Sequence, residues 1–64
     1  MTVKDLAKGE WFTLKPIENP KESQVYIRGD YDFSTKKYSC GKFSDISYSR
    51  ELKPDTIVYT DFTF

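Results

Sequence analysis

One stretch decides the fold class of this 64-residue chain: Gln24-Val25-Tyr26-Ile27-Arg28-Gly29-Asp30-Tyr31-Asp32. Successive side chains of a β-strand point to opposite faces of the sheet, and this stretch divides accordingly into two sets. We expect Val25, Ile27, Gly29 and Tyr31 to face the interior, and Tyr26, Arg28 and Asp30 to face outward. A glycine inside such a strand indicates a bulge or a sharp bend.

Four further stretches alternate in the same way on either side of this one. They are predicted as strands over residues 10–15, 37–43, 46–52 and 56–64. Loops or turns are predicted between them at residues 17–23, 33–36, 44–45 and 53–55, and residues 2–8 predict one helical turn that Thr2 caps. Five short strands spaced about ten residues apart are typical of a small barrel or sandwich, so we predict a single domain over residues 1–64.

The composition also favours an all-β fold. The chain has eleven aromatic residues (one Trp, five Tyr and five Phe) and ten Val, Ile and Leu residues, but a single Ala. Aromatic and β-branched side chains pack well on a pleated surface, whereas Ala is the best helix former. The predicted interior consists of Phe12, Leu14, Val25, Ile27, Tyr38, Cys40, Ile46, Leu52, Val58 and Phe62.

The charge balance and the lack of histidine argue against several functions. Ten basic side chains balance ten acidic ones, so no net charge draws the chain to nucleic acid or to an anionic membrane. Without histidine, and with one cysteine, the chain lacks the usual zinc ligands and the commonest general base. We predict no cofactor. The N-terminal segment has no apolar run of signal-peptide length, and a lone cysteine suits a reducing compartment, so we expect a cytoplasmic protein.

Two groups that could carry chemistry have simpler structural explanations. Cys40 falls on the predicted interior face, which favours a small buried apolar residue over a nucleophile. Asp30 and Asp32 project from one strand face and are suited to a metal ion, but they lead into a hairpin, where Asp favours the turn backbone. We therefore predict no catalytic residue and no metal site, and a protein that is not an enzyme.

The chain has more large apolar side chains than one small barrel can enclose, so some of them must point outward. Those predicted to point outward are Trp11, Tyr26, Phe43, Ile57 and Tyr59. Because first, second and last strands adjoin in such barrels, we predict a binding surface with Trp11, Tyr26 and Tyr59 as anchors, Phe43 beside them and Arg28 as the charged specifier. Two alternatives are that the N-terminal turn covers these rings, and that copies of the chain associate through them.

Single-stranded nucleic acid is the second hypothesis, because bases stack on exposed aromatic rings while cations follow the phosphates. The candidates are Trp11, Tyr26 and Tyr59 with Arg28, Lys36, Lys37 and Lys42. Between residues 36 and 53, five basic side chains face two acidic ones, which is a smaller excess than dedicated nucleic-acid binders carry.

The strand order resembles an SH3-like barrel. The segments Asp5–Phe12 (DLAKGEWF) and Leu52–Val58 (LKPDTIV) also resemble short uncharacterised proteins of bacteriophages and mobile elements that have a small SH3-like β-barrel. These motifs set a fold and bring no known activity with them. The resemblance implies a homo-oligomeric accessory protein that acts stoichiometrically, as an inhibitor or sponge, on a host protein or a small anionic ligand in the host cytoplasm.

Overall fold

Four antiparallel strands form one sheet in the computed structural model, which describes residues 1–63 apart from the side chain of Ile46. The strands follow one another across the sheet as β1 (Trp11–Phe12), β2 (Tyr26–Asp32), β3 (Lys37–Lys42) and β4 (Asp45–Leu52). The helical segments of these residues are two short 3-10 turns, Val3–Asp5 and Glu22–Gln24. The predicted all-β class is confirmed. No helix among residues 1–63 is long and apolar enough to cross a membrane.

Asp side chains accept hydrogen bonds at the turn between β2 and β3 and at the start of β4. The Asp32 carboxylate accepts hydrogen bonds from the backbone N–H and the hydroxyl of Ser34, at 2.9 and 2.7 Å. The Asp45 carboxylate accepts the same pair of bonds from Ser47, at 3.1 and 2.7 Å. Asp favours turns for this reason, because its carboxylate binds backbone donors two residues further along the chain. Strands β2, β3 and β4 begin and end close to where the sequence predicts.

The bulge predicted at Gly29 is confirmed. Arg28 pairs with Cys40 and Tyr31 with Tyr38, so β2 contains one extra residue between these two pairs. A Cβ atom at Gly29 would collide with the carbonyl oxygen of Ser39. Glycine is required here because the backbones of β2 and β3 approach too closely for any side chain.

The core lies against one face of the sheet. Its buried members are Val3, Leu6, Phe12, Cys40, Leu52 and Val58, and the half-buried Leu14, Tyr26 and Tyr38 pack against them. Val25 is also buried, while Ile27 and Phe62 are half-buried. Burial of the predicted interior residues Phe12, Val25, Cys40, Leu52 and Val58 is confirmed. The predictions for the Ile46 side chain and for Phe64 fall outside the described part of the chain.

The two ends of the chain are joined by bridges and not by a continuous strand. Ile57 and Tyr59 form isolated antiparallel bridges with Thr2 and Thr13. Thr13 and Tyr59 exchange two backbone hydrogen bonds of 2.9 Å each. A fifth strand was predicted over residues 56–64, but the part that the structure describes forms two isolated bridges instead. Among residues 1–63 there are four strands in one open sheet, and no closed barrel is seen. The first predicted strand, over residues 10–15, shortens to two residues and one bridge because the Thr13 hydroxyl donates to the Lys15 carbonyl and turns the chain.

Candidate functional site

Trp11 and Phe43 lie together on the sheet face that is turned away from the core. Trp11 precedes the buried Phe12 and therefore points the other way. Its ring meets that of Phe43 edge-on, with the centroids 5.1 Å apart and the planes at 67°. The Trp11 side chain remains 42% exposed.

Tyr59 and Ile57 extend this apolar surface onto the C-terminal segment. They flank the buried Val58, and they are 36% and 55% exposed. Tyr59 lies opposite the buried Thr13, which is two residues along the chain from Trp11. We refer to Trp11, Phe43, Ile57 and Tyr59 as the outer aromatic surface.

A shallow cavity of about 520 Å³ borders the outer aromatic surface, between Gly9, Glu10 and Trp11 on one side and Thr60 and Phe62 on the other. The Trp11 ring remains partly open to solvent beside this cavity. The apolar side chains of the N-terminal turn, Val3 and Leu6, belong to the main core. The indole ring therefore forms one wall of an open depression.

Tyr26 and Arg28 lie on the opposite face, so the predicted orientation of these two residues is wrong. Tyr26 pairs with Phe12 across the sheet and stacks on its ring, with the centroids 5.7 Å apart. Arg28 pairs with the buried Cys40. Directly opposed residues share a face, so the pairing with Phe12 turns Tyr26 and Arg28 toward the core and Ile27 toward Trp11. The five predicted binding residues are thus divided between two faces.

Arg28 begins a row of four side chains that contact one another in sequence from the core face of the sheet toward the β2–β3 turn. Its guanidinium carbon lies 4.2 Å from the centroid of the Tyr38 ring. Tyr38 contacts Tyr31 at 4.9 Å, and Tyr31 contacts Phe33 edge-on at 5.0 Å between centroids. The Phe33 ring at the end of the row is 84% exposed. We call Arg28, Tyr38, Tyr31 and Phe33 the tyrosine row.

A second cation lies over aromatic rings further along the core face. The Lys42 ammonium nitrogen is 4.6 Å from the Tyr48 ring centroid and 5.9 Å from that of Tyr26. Tyr31, Phe33 and Tyr48 are not among the site residues predicted from the sequence. The available signal was Gly29, because a bulge there shifts Tyr31 onto the face that Arg28 occupies.

The tyrosine row contains one cation, the Arg28 guanidinium, and one of its N–H groups makes no hydrogen bond to a described residue. Among residues 1–63, Nε of Arg28 is buried and has no hydrogen-bond partner. A buried donor left unpaired is costly, and an anion beside it would satisfy it. An arginine over a tyrosine ring is also an ordinary cation–π pair, which stabilises the fold without any ligand.

The groups considered for catalysis are engaged in structural roles. Burial raises the pKa of the Cys40 thiol, which disfavours the reactive thiolate. Asp30 forms an exposed ion pair with Lys8 at 2.7 Å, and hydrogen bonds from Ser34 lower the pKa of Asp32. The part of the chain that the structure describes holds no group of three or more His, Cys, Asp or Glu side chains suited to a metal ion.

Comparison of the chain with protein-family models, curated proteins and solved structures finds no significant match. The two faces of the sheet differ in which groups accompany their aromatic rings. One face presents the rings of Trp11 and Phe43 in edge-on contact, and the other presents rings with Arg28 and Lys42 over them.

Proposed function

We propose that this chain is a small, non-enzymatic binding protein that occupies a partner protein through the outer aromatic surface. A homo-oligomer acting stoichiometrically on a host protein, in the cytoplasm of the host cell, is the form of this proposal that the resemblance to phage and mobile-element proteins suggests. The observation that carries it is the exposure of three large apolar side chains, Trp11, Ile57 and Tyr59, in a chain with so small a core.

The chemistry of these side chains supports a protein partner. Trp and Tyr are the residues most enriched among those that dominate binding energy at protein interfaces. The surface is flanked by polar residues, including Glu10 and Thr60 at the cavity beside Trp11. A central apolar area with a polar rim is the usual anatomy of a protein–protein interface.

Trp11 is the residue whose removal tests this proposal most directly. W11A and Y59A should lose the partner that the wild-type chain retains from host lysate, because each removes an anchor while leaving the buried core intact. F33A is the matched control, because Phe33 is an exposed ring outside the outer aromatic surface. Retention by W11A and loss by F33A would contradict the proposal.

The finer fold that we propose is a five-stranded SH3-like barrel. Its support is the antiparallel pairing of Tyr59 with Thr13, which adds the C-terminal segment to the β1 edge of the sheet. In such a barrel this segment becomes the fifth strand. Hydrogen-exchange protection of the Tyr59 amide, which donates to the Thr13 carbonyl, would match that of β2 if the pairing is continuous with the sheet.

Single-stranded nucleic acid, or a small anionic ligand, is the alternative that the tyrosine row favours. Exposed Phe33 and the neighbouring Tyr31 offer a stacking platform, and Arg28 offers a partner for a phosphate or a carboxylate. Lys36 and Lys37 follow Phe33 in the same hairpin. A mobility shift that disappears with F33A and weakens steeply with salt would favour this alternative. The same shift unchanged in F33A would exclude the tyrosine row.

A further inference from the structure

A second cavity, of about 270 Å³, opens beside the core, and we refer to it as the core-side pocket. The described residues that line it are Leu14, Lys15, Ile17, Ser23, Gln24, Tyr26 and Arg50. Tyr26 opposes the buried Phe12, and opposed residues share a face of the sheet. Arg50 in the same way opposes the buried Cys40. The pocket therefore lies on the core face, and none of these lining residues belongs to the outer aromatic surface or to the tyrosine row.

Hydrogen bonds fix the wall of the core-side pocket that runs between β1 and β2. The Thr13 hydroxyl and the Ile17 amide both donate to the Lys15 carbonyl, at 2.6 and 2.9 Å. The side-chain oxygen of Gln24 accepts a hydrogen bond of 2.9 Å from the Lys21 amide. These bonds hold the wall in shape without a ligand. A pocket that is formed in advance loses less conformational entropy when a ligand binds.

The interior of the core-side pocket offers apolar contacts. Leu14, Ile17 and Tyr26 are half-buried there. The Tyr26 ring stacks on that of Phe12, with the centroids 5.7 Å apart, which holds the ring in place. A cavity of about 150 Å³ is enough to bind benzene. A volume of about 270 Å³ therefore accommodates one aromatic ring and a substituent.

The charged side chains that line the core-side pocket all carry a positive charge. Lys15 and Arg50 are exposed at its rim, and none of the described lining residues is acidic. The ion pair found among residues 1–63 involves neither of these two cations. The Lys42 ammonium nitrogen lies 5.9 Å from the Tyr26 ring centroid and adds a further positive charge nearby. A cleft lined by one sign of charge concentrates ions of the opposite sign.

We propose that the core-side pocket binds a small aromatic anion, one ring that carries one carboxylate. The ring lies among Leu14, Ile17 and Tyr26, and the carboxylate lies between Lys15 and Arg50. The Arg50 guanidinium suits a carboxylate because its planar N–H groups donate two parallel hydrogen bonds. This inference goes beyond the proposed function, because it uses none of the outer aromatic surface.

Three probes separate the contribution of the ring from that of the charge. Benzoate has both, benzamide keeps the ring without the charge, and acetate keeps the charge without the ring. In an amide NMR titration of the wild-type chain, benzoate should shift the signals of Ile17, Gln24 and Tyr26. Benzamide and acetate should each bind at least about tenfold more weakly than benzoate, because each lacks one of the two kinds of contact.

Substitution of the pocket cations tests where the carboxylate lies. R50Q should weaken benzoate binding about tenfold and leave benzamide binding unchanged, because it removes only the charged partner of the carboxylate. K53Q is the matched control, because it removes the same charge from an exposed residue just after β4 that does not line the pocket. K15Q is a second variant with the same expected effect as R50Q. Circular dichroism confirms that each variant is folded.

Several results would overturn the core-side pocket as an anion site. They are no shift of these amides by millimolar benzoate, equal dissociation constants for benzoate and either control probe, or equal benzoate binding by R50Q, K15Q and K53Q. Benzoate shifts at Trp11 with none at Tyr26 would place the anion at the outer aromatic surface and would also overturn it. Partner capture from host lysate by R50Q would leave the proposed binding function standing, so the failures of the two proposals can be told apart.

Discussion

The two faces of the sheet use the same kinds of side chain in opposite ways. On the core face, Tyr26 stacks on buried Phe12, and Tyr38 lies under the Arg28 guanidinium. On the other face, Trp11 and Tyr59 remain substantially exposed. The difference shows that the role of an aromatic ring in this chain is decided by strand pairing and not by its residue type.

Neighbouring residues of β1 offer the largest test of this comparison. F12A should lower the free energy of unfolding by about 4 kcal/mol, because it leaves a cavity in the core. W11A should cost less, about 1 to 2 kcal/mol, because the Trp11 side chain is 42% exposed and its removal leaves a smaller cavity. Urea titration followed by circular dichroism measures both. Equal losses of unfolding free energy in F12A and W11A would mean that Trp11 is as buried as Phe12 and is not accessible to a partner protein.

Two glycine-to-alanine substitutions test whether the bulge at Gly29 holds the register of β2 and β3. G29A should destabilise the chain by about 3 kcal/mol, because the new Cβ collides with the Ser39 backbone and neither strand can move without losing the ladder. G41A is the control, since a Cβ there meets the Tyr48 carbonyl oxygen at an ordinary 3.5 Å. If thermal unfolding shows both variants equally stable, the bulge does not hold the register.

Acid should destabilise the folded chain by protonating the aspartates that accept hydrogen bonds at its turns. Hydrogen bonds from Thr2, Ser34 and Ser47 lower the pKa values of Asp5, Asp32 and Asp45. Between the lowered pKa values of the folded chain and the ordinary value of about 4, the unfolded chain binds more protons. Stability is therefore full above this window and is lost as the pH falls through it.

The urea midpoint, measured from pH 7 down to pH 2, should fall across this window. D45N is the control, because the amide oxygen still accepts the Ser47 hydrogen bonds but no longer titrates. Its midpoint should fall less with acid than that of the wild type. An identical fall in both would show that the Asp45 turn takes no part in the acid response.

The smallest expected effect concerns the hairpin that carries the exposed end of the tyrosine row. Lys36 has a φ of 59°, in the left-handed region that glycine adopts without strain. K36G should raise the free energy of unfolding by about 0.5 to 1 kcal/mol. Glycine removes the cost of the left-handed conformation, and the greater entropy that it gives the unfolded chain cancels part of this gain. K37G is the control in the adjacent strand and should destabilise. A loss of stability in K36G would mean that the lysine side chain contributes more than its backbone costs.

The contrast between strands β2 to β4 and the two ends of the chain shows what local sequence can predict. Asp32 and Asp45 each bind donors two residues away, so the turns that bound β2, β3 and β4 are local events. The last predicted strand, by contrast, depends on which distant residues Ile57 and Tyr59 meet. Its alternating pattern was correct for the burial of Val58 but could not determine how many backbone pairs would form.

The sequence by itself determined the all-β class, the bulge at Gly29 and the burial of Phe12, Cys40 and Val58, because alternation and glycine placement are written within single strands. Tertiary structure decided which face of β2 meets the core. Both faces of that strand carry apolar side chains, so alternation alone favours neither, and only the pairing of Tyr26 with Phe12 and of Arg28 with Cys40 selects one. That pairing joins residues far apart in the chain, and a shift of one position inverts it.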